Sequence, residues 1–378
     1  MKRCIVCGEA LDQSGFLMAF PNQPAGAQNI PSPSELKQDR GMDLSLFQCT
    51  SCGLIQFDCE PVPYYRDTIR AGGISSTAAQ LRRTQYSHFI DLCNLKGKKI
   101  VEIGCGQGEF LDILTEFPVG VYGIEHNQDL VEIGRRKGLN ICRGFTDTAD
   151  TTIDGAPFDA FLSFNFIEHQ PKPNTMLRCI YRNLAEDGYG LITAPSMDYI
   201  LHYSSYYEFM RDHIAYYSEE TLRFLLNRNG FTVIESETVN RDTLSMIVRK
   251  RPKTDVSGLI NVRGRLSGAL HAYIDSRRQR GKKIAFWGAS HQAFAALSTA
   301  SLSQEIAYII DSAPFKQSRY SPATHIPIIS PEHFFNEPVD CILIIAPGYT
   351  HEIAGIIKEK FGGDVEIAAV LTDTIEPL

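Results

Sequence analysis

From Lys98 to Arg251 the chain alternates short apolar runs with amphipathic stretches. The runs KIVEIG, VYGIE, AFLSF and GLITAP have strand length and predict β-strands. FTVIESETV and TLSMIVRK follow one another and predict a hairpin. Strands separated by helical patterns imply a mostly parallel sheet with helices on both faces. A second and smaller pattern of the same kind begins at Lys282, where KKIAFWGAS, IAYIID, DCILIIAP and VEIAAVL predict four strands of a Rossmann-like domain. The helical spacing of Leu81, Tyr86, Phe89, Ile90 and Leu92 predicts a helix over about 75–95. Leu259, Leu266, Leu270 and Ile274 predict one face of another within 256–280, after a linker RKRPKTD. The expected organisation is therefore α/β: an N-terminal module at 1–60, a helical linker at 61–95, a core at 96–252, a second helical linker at 253–280 and a Rossmann-like domain at 281–378.

Residues 1–60 follow neither period. They hold Cys4-x-x-Cys7 and Cys49-x-x-Cys52, separated by a polar stretch, PNQPAGAQNIPSPSE, that would not fold alone. Each pair is followed by a glycine, Gly8 or Gly53, which permits a tight turn around a metal. Four thiolates from two such turns predict a closed, structural zinc site. Composition agrees with an intracellular reading. The chain has 378 residues, 43% hydrophobic and 21% charged, and ten cysteines that read as ligands and core residues and not as disulfides. MKRCIVCGEA has no long apolar segment, and no apolar run reaches the roughly 18 residues of a membrane span. A cytoplasmic protein is expected. The net charge of −7 weighs against a dedicated nucleic-acid partner.

The segment VEIGCGQGEF carries the cofactor chemistry. An apolar strand holding Glu102 runs into Gly104, Gly106 and Gly108, which let the backbone approach a ligand closely. The next strand ends in Glu125, a carboxylate placed to accept from ribose hydroxyls. A glycine turn and a ribose-binding acid suit NAD as well as S-adenosylmethionine (SAM). Glu102 two residues before the first glycine gives the form typical of class I methyltransferases and favours SAM. FDAFLSFNFIEHQPKP looks like their fourth strand and following loop, and places Asn165 in the cofactor set.

Methyl transfer from a sulfonium needs alignment and, where the acceptor must lose a proton, a base. His169 in NFIEHQP is the best-placed base, at the edge where open α/β sheets bind ligands. A second concentration, SSYYEFMRDHIAYYS, offers Tyr207, Glu208, Arg211, Asp212 and His213 for an acceptor, with Asp212 and His213 adjacent. In the last domain FWGASHQ makes a strand-end turn, and Lys316, Arg319 and His325 can neutralise a diphosphate.

Together these residues resemble the zinc-containing sugar C-methyltransferases that act on nucleotide-linked deoxysugars. Cys4, Cys7, Cys49 and Cys52 match the metal ligands, VEIGCGQGEF the SAM loop, His169 an active-site histidine, and IIDSAPFKQSRYSPATHIPI the C-terminal signature. The resemblance covers essentially the whole chain. It implies a SAM-binding Rossmann core between the zinc module and a Rossmann-like domain. It also implies that a 4-keto nucleotide sugar loses a proton from carbon and takes the methyl group there, with His169 and His213 as the acid/base pair. The chain departs from the family pattern Tyr-x-Glu-His, since Met210-Arg211-Asp212-His213 stands in its place. The alternatives are an O- or N-methyltransferase of a related metabolite, an RNA or protein methyltransferase, and a SAM-binding scaffold. The expected partner is a small acceptor bound by a monomer or homodimer.

Overall fold

A computed structural model describes residues 2–28, 30–66, 74–346 and 348–378. Asn29 of the polar stretch, residues 67–73 of the expected linker and Pro347 of DCILIIAP lie outside the described residues. The chain forms two compact units, Met1–Pro252 and Lys253–Leu378.

The first unit opens with β1 (Phe16–Gln23), β2 (Met42–Gln48) and β3 (Ile55–Phe57). The helix α1 (Ser76–Leu92) follows, capped by the Ser75 side chain. Then come β4 (Lys99–Ile103), α2 (Glu109–Leu114), β5 (Gly120–Glu125), α3 (Gln128–Arg136), β6 (Ile141–Arg143) and β7 (Phe158–Phe164). The unit closes with α4 (Pro173–Asn183), β8 (Leu184–Pro195), α5 (Met197–Tyr203), β9 (Ala215–Tyr216), α6 (Glu219–Arg228) and the hairpin β10 (Phe231–Val239) and β11 (Thr243–Lys250).

Seven of these strands make one sheet in the order β10-β11-β8-β7-β4-β5-β6. The five from β8 to β6 are parallel, and β11 and β10 add antiparallel. Alternation along the strands puts side chains on both faces. Ile100, Ala160 and Leu162 pack with Tyr86, Phe89 and Ile90 of α1, Leu111 of α2 and Val131 of α3. Val101, Ile103 and Phe161 face the other way, onto Leu177 and Ile180 of α4 and Leu225 and Leu226 of α6. Leu92, expected on the buried face of α1, is 48% exposed, because the buried stripe runs through Gln85, Tyr86, Phe89, Ile90 and Cys93 and Leu92 lies off it.

The polar N-terminal stretch joins a second sheet, β1-β2-β3-β9, whose last strand comes from the segment between α5 and α6. Its apolar face (Phe20, Leu44, Leu46, Phe57, Tyr216) packs on Met197 and Ile200 of α5.

The second unit starts with α7 (Ser257–Arg278), then β12 (Ile284–Trp287), α8 (His291–Thr299), β13 (Ile309–Ile310), β14 (Arg319–Tyr320) and β15 (Pro327–Ile329). It ends with β16 (Cys341–Ile344), α9 (Thr350–Phe361), β17 (Glu366–Val370) and β18 (Ile375–Pro377). The order β14-β15-β13-β12-β16-β17-β18 has a parallel centre and antiparallel edges. The expected apolar face of α7 is buried only in its C-terminal half: Leu270, Tyr273 and Ile274 reach the sheet, and Leu259 is 69% exposed. Among the described residues, no helix is long and apolar enough to cross a membrane.

Candidate active site

β4 ends at Ile103, and the chain turns into α2 through three glycines with positive φ, Gly104 at 71°, Gly106 at 59° and Gly108 at 84°. L side chains enter that region only with strain. Space closes two of the same positions. A Cβ on Gly104 would lie 2.9 Å from the Phe166 ring, and one on Gly108 would lie 2.3 Å from Leu139 Cδ1. Glu125, at the end of β5, accepts from Gly106 N at 2.8 Å and from Asn127 N at 2.9 Å. The acid thus fixes the turn, and carboxylate oxygens take more than one donor, so ribose hydroxyls can join the same group. Glu102 is buried within β4. Asn165, just past β7, has φ of 45°, and its Oδ1 accepts from Thr193 Oγ1 at 2.7 Å.

Beside this turn lies a narrow pocket of about 10 Å³, bordered by Gly104, Glu125, Phe145, Thr146 and Phe166. The rings of Phe145 and Phe166 meet edge-on at 6.2 Å. Thr146 Oγ1 is buried without a hydrogen-bond partner among the described residues. Two aromatic rings and one unused hydroxyl line this pocket, a mixed surface of the kind that borders small-molecule sites. Sequence reasoning missed these three residues. Their signal was positional: Phe145 and Thr146 follow β6, a strand of only three residues that the apolar pattern did not resolve.

The turn Ile167–His169 carries Glu168 and His169 past the end of β7. Nδ1 of His169 is 2.7 Å from the backbone oxygen of Asp212. A carbonyl only accepts, so Nδ1 carries the hydrogen and Nε2 the lone pair of the neutral ring. The His213 ring stands edge-on to His169 with centroids 4.8 Å apart. Burial holds His169 below its usual value and takes His213 down to about 3, with the neighbouring His169 adding to the effect. Both rings are therefore neutral bases at ordinary pH. Glu168 Oε1 is 3.9 Å from His169 Nε2, and burial pushes this carboxyl up to about 8.

The other expected acceptor residues divide. Tyr207 is 69% exposed and Glu208 half-buried on the turn Tyr206–Glu208. Arg211 and Asp212 are engaged differently from the expectation. The Arg211 guanidinium donates to the backbone oxygens of Glu60, Ala25 and Pro61. The Asp212 carboxylate accepts from Ala27 N at 2.8 Å and from the hydroxyl of Tyr64 at 2.9 Å. Both side chains tie down the irregular N-terminal stretch, whose backbone groups need partners once covered. What Asp212 gives His169 is its main-chain carbonyl. Tyr64, also missed in the sequence, completes this tie by accepting from Gln28 N.

In the second unit Lys316 is paired with Asp311 at 2.9 Å. Arg319 lies on the exposed strand β14, and His325 is exposed with φ of 54°.

The cysteine pairs form two turns of the same design. Gly8 N donates to Cys4 O and Gly53 N to Cys49 O, each at 2.9 Å, with φ of 84° and 77° at the glycines. Cys4 and Cys52 sulfurs are 3.5 Å apart, Cys7 and Cys49 sulfurs 3.4 Å, and all four lie within 4.8 Å of one another. A tetrahedral ion with arms of about 2.3 Å separates its sulfurs by about 3.8 Å, so the set is close to the size it needs. The hydrogen bond from Cys52 already lowers the Cys4 thiol to about 5. Asn174 of α4 donates to the Ile5 and Val6 oxygens and seats the first turn on the core.

The comparisons with known proteins agree with this geometry. Residues 78–236 match a family described as a methyltransferase domain, and residues 263–367 match the C-methyltransferase C-terminal domain. The C-methyltransferase NovU of Streptomyces niveus is 23% identical over 395 residues, covering 94% of this chain and 92% of that protein. A ubiquinone biosynthesis O-methyltransferase of Coxiella burnetii is 28% identical over 88 residues, covering 22% of this chain and 38% of that protein. The solved magnesium protoporphyrin IX methyltransferase of Synechocystis with bound SAH aligns at a TM-score of 0.37 and 16% identity, over 48% of this chain and 90% of that one. The glycine turn, the acid of β5 and the matched domains define a SAM-dependent methyltransferase of the class I Rossmann fold with an additional C-terminal sheet domain. The chain is similar along nearly its whole length to a C-methyltransferase and carries a match to the C-methyltransferase C-terminal domain.

Proposed function

We propose that this protein methylates a carbon atom of a nucleotide-linked keto-sugar, with the proton handled by His213 and His169. The observation that carries the reading is the pairing of two neutral imidazoles at the C-terminal edge of β7. It occurs in a chain similar along nearly its whole length to a C-methyltransferase. Bound SAM would supply an electrophilic methyl group. A C–H bond beside a ketone is acidic enough for an imidazole to break. His213, half-buried, is the base that meets the acceptor, and His169 stands behind it. The edge-on ring contact and the carbonyl of Asp212 hold this pair in one orientation. Glu125, Glu102, Asn165 and the glycines Gly104, Gly106 and Gly108 are the cofactor-binding set. Tyr207 and Glu208 border the acceptor; Arg319 and His325 are exposed basic residues of the second unit.

Cys4, Cys7, Cys49 and Cys52 hold a structural zinc ion in this reading. Four thiolates fill its coordination and leave no position for chemistry.

A second reading, methylation of oxygen, draws on the partial similarity to an O-methyltransferase. Mass spectrometry separates the two. The protein and SAM are incubated in deuterated solvent with a panel of nucleoside-diphosphate keto-sugars. Carbon methylation gives a product heavier by one methyl, with exchange at the carbon beside the ketone. A methylated product without exchange supports oxygen, and no turnover across the panel would overturn the sugar-nucleotide assignment.

A further inference from the structure

Three of the buried carboxyls set the pattern against which Glu168 is compared. Glu125, Asp212 and Asp311 each accept at least two hydrogen bonds. Glu168, buried to 1% exposure, differs: its Oε2 has no hydrogen-bond partner among the described residues. An unsatisfied buried carboxyl is costly and requires an explanation.

Its surroundings supply one. Glu168 N–H and C=O belong to the turn, and Ile214 N donates to its carbonyl, so the residue is fixed beside the segment that carries His213. The groups facing its carboxyl are His169 from its own turn, His213 from the segment before β9, and the buried hydroxyl of Tyr217, beyond which lie the Cys4 and Cys52 thiols. Tyr217 Oη also has no hydrogen-bond partner among the described residues. None of these neighbours is a cation in the resting protein. Raised to about 8 by burial, the carboxyl keeps its proton at neutral pH. The nearest base is Nε2 of His169, which holds a lone pair because Nδ1 is committed to Asp212. The 3.9 Å between them closes to hydrogen-bond length with a small side-chain movement, as catalytic contacts commonly do when ligand binds.

We propose that Glu168 is the proton partner of His169, passing a proton to Nε2 and taking it back during each turnover. The O–H bond of the carboxyl breaks, its electron pair stays on oxygen, and the N–H bond forms at Nε2. The result is a carboxylate beside an imidazolium with no change in net charge. The imidazolium lies behind His213, and its charge stabilises the negative charge that develops on the ketone oxygen, while His213 removes the carbon-bound proton. The use of this proton rests on the proposed function. The exchange itself does not, since it needs no substrate. Glu168 acts through His169 and is a positioning residue, not a catalytic one.

The test has a substrate-free arm and a kinetic arm. Imidazole resonances of labelled protein, with His169 assigned from His169→Gln, are followed against pH in the wild type and in Glu168→Gln. An amide cannot become an anion, so the His169 midpoint is expected to fall by about one pH unit in the variant, a tenfold loss of imidazolium stability. An unchanged midpoint overturns the proposal. The kinetic arm uses a nucleoside-diphosphate-linked 4-keto-6-deoxyhexose and SAM. Glu168→Gln is expected to lower kcat by about a hundredfold with little change in KM, and Glu168→Asp to restore part of it. Wild-type kcat in Glu168→Gln overturns proton transfer, as does a loss confined to KM. Metal content is measured in parallel. A second divalent ion per chain that disappears in Glu168→Gln would make the residue a ligand and also overturn the proposal. SAM binding by calorimetry checks the fold, and Glu168→Asp replaces the glutamine variant in the titration if the latter does not bind SAM. Failure of the wild type to methylate the probe removes the proposed function and leaves the titration to decide this inference.

Discussion

Glu125 closes β5 in the first unit, and Asp311 follows β13 in the second. Each acid reaches back to the turn after the preceding strand, Glu125 to Gly106 N and Asp311 to Ala289 N, both at 2.8 Å. The two doubly wound sheets thus share one device for fixing a strand-to-helix turn. They differ in what surrounds it. Around Glu125 the turn has three glycines, two of them pressed against side chains, and a narrow pocket opens beside it. Around Asp311 the turn has one glycine, Gly288, with nothing near its missing Cβ, and the Ser290 hydroxyl accepts the Ala293 amide to cap α8. Lys316 and Ala313 N take up the rest of the Asp311 carboxylate. The same acid stands beside a pocket in one sheet, where we propose that it receives the cofactor, and is a saturated structural anchor in the other.

The largest effect is expected at the staple of the first unit. Replacing Cys4 and Cys49 by serine should abolish stoichiometric zinc and remove folding energy on the order of 10 kcal/mol from that unit. Calorimetry should then show the first unit's transition lost and the second unit's retained; loss of both would break the separation. Next, Glu125→Ala should weaken SAM binding by about a hundredfold by calorimetry, from a lost charged hydrogen-bond network of about 3 kcal/mol. Asp311→Ala should leave SAM affinity unchanged and destabilise only the second unit. Equal effects on affinity would end the contrast.

Smaller and opposite in sign is Glu168→Gln. The folded carboxyl sits near 8, above the usual value of 4.5. Wild-type stability from this group is therefore full below about 4.5 and lost as pH rises to 8. The variant should melt higher than wild type at pH 8, with the difference shrinking toward pH 5. A constant difference would mean the carboxyl is already ionised. Smallest, Gly288→Ala should cost about 1 kcal/mol by thermal unfolding, the strain of positive φ without a clash. Gly108→Ala, with Leu139 in its way, should cost more and reduce SAM affinity.

Much of the first unit was legible in the chain. The hairpin FTVIESETV–TLSMIVRK coincides with β10 and β11, and the runs for β4 and β5 fall on those strands. Periodicity is strong where both faces of a sheet are covered. It fails for the N-terminal sheet, where β1 contains PNQ and β9 has only two residues. Neither carries a pattern that a local window can resolve. The histidines were visible as types and positions, but their meeting depends on the Asp212 carbonyl, which side-chain chemistry does not announce. Arg211 and Asp212 looked like acceptor ligands for the same reason. Their partners Ala25 and Ala27 are more than 180 residues away and contribute only backbone atoms.

β9 carries a consequence for how the protein is made. β1, β2 and β3 leave the ribosome early, yet their sheet lacks its fourth strand until Ala215 and Tyr216 have been synthesised. Meanwhile the segment can gather only around its own cysteines, so the proposed ion would serve as a temporary scaffold during translation before it served as a permanent one. At a few residues per second the wait is on the order of ten seconds or more. Scarcity of the metal would be felt in the yield of finished enzyme before it was felt in the rate of any finished molecule.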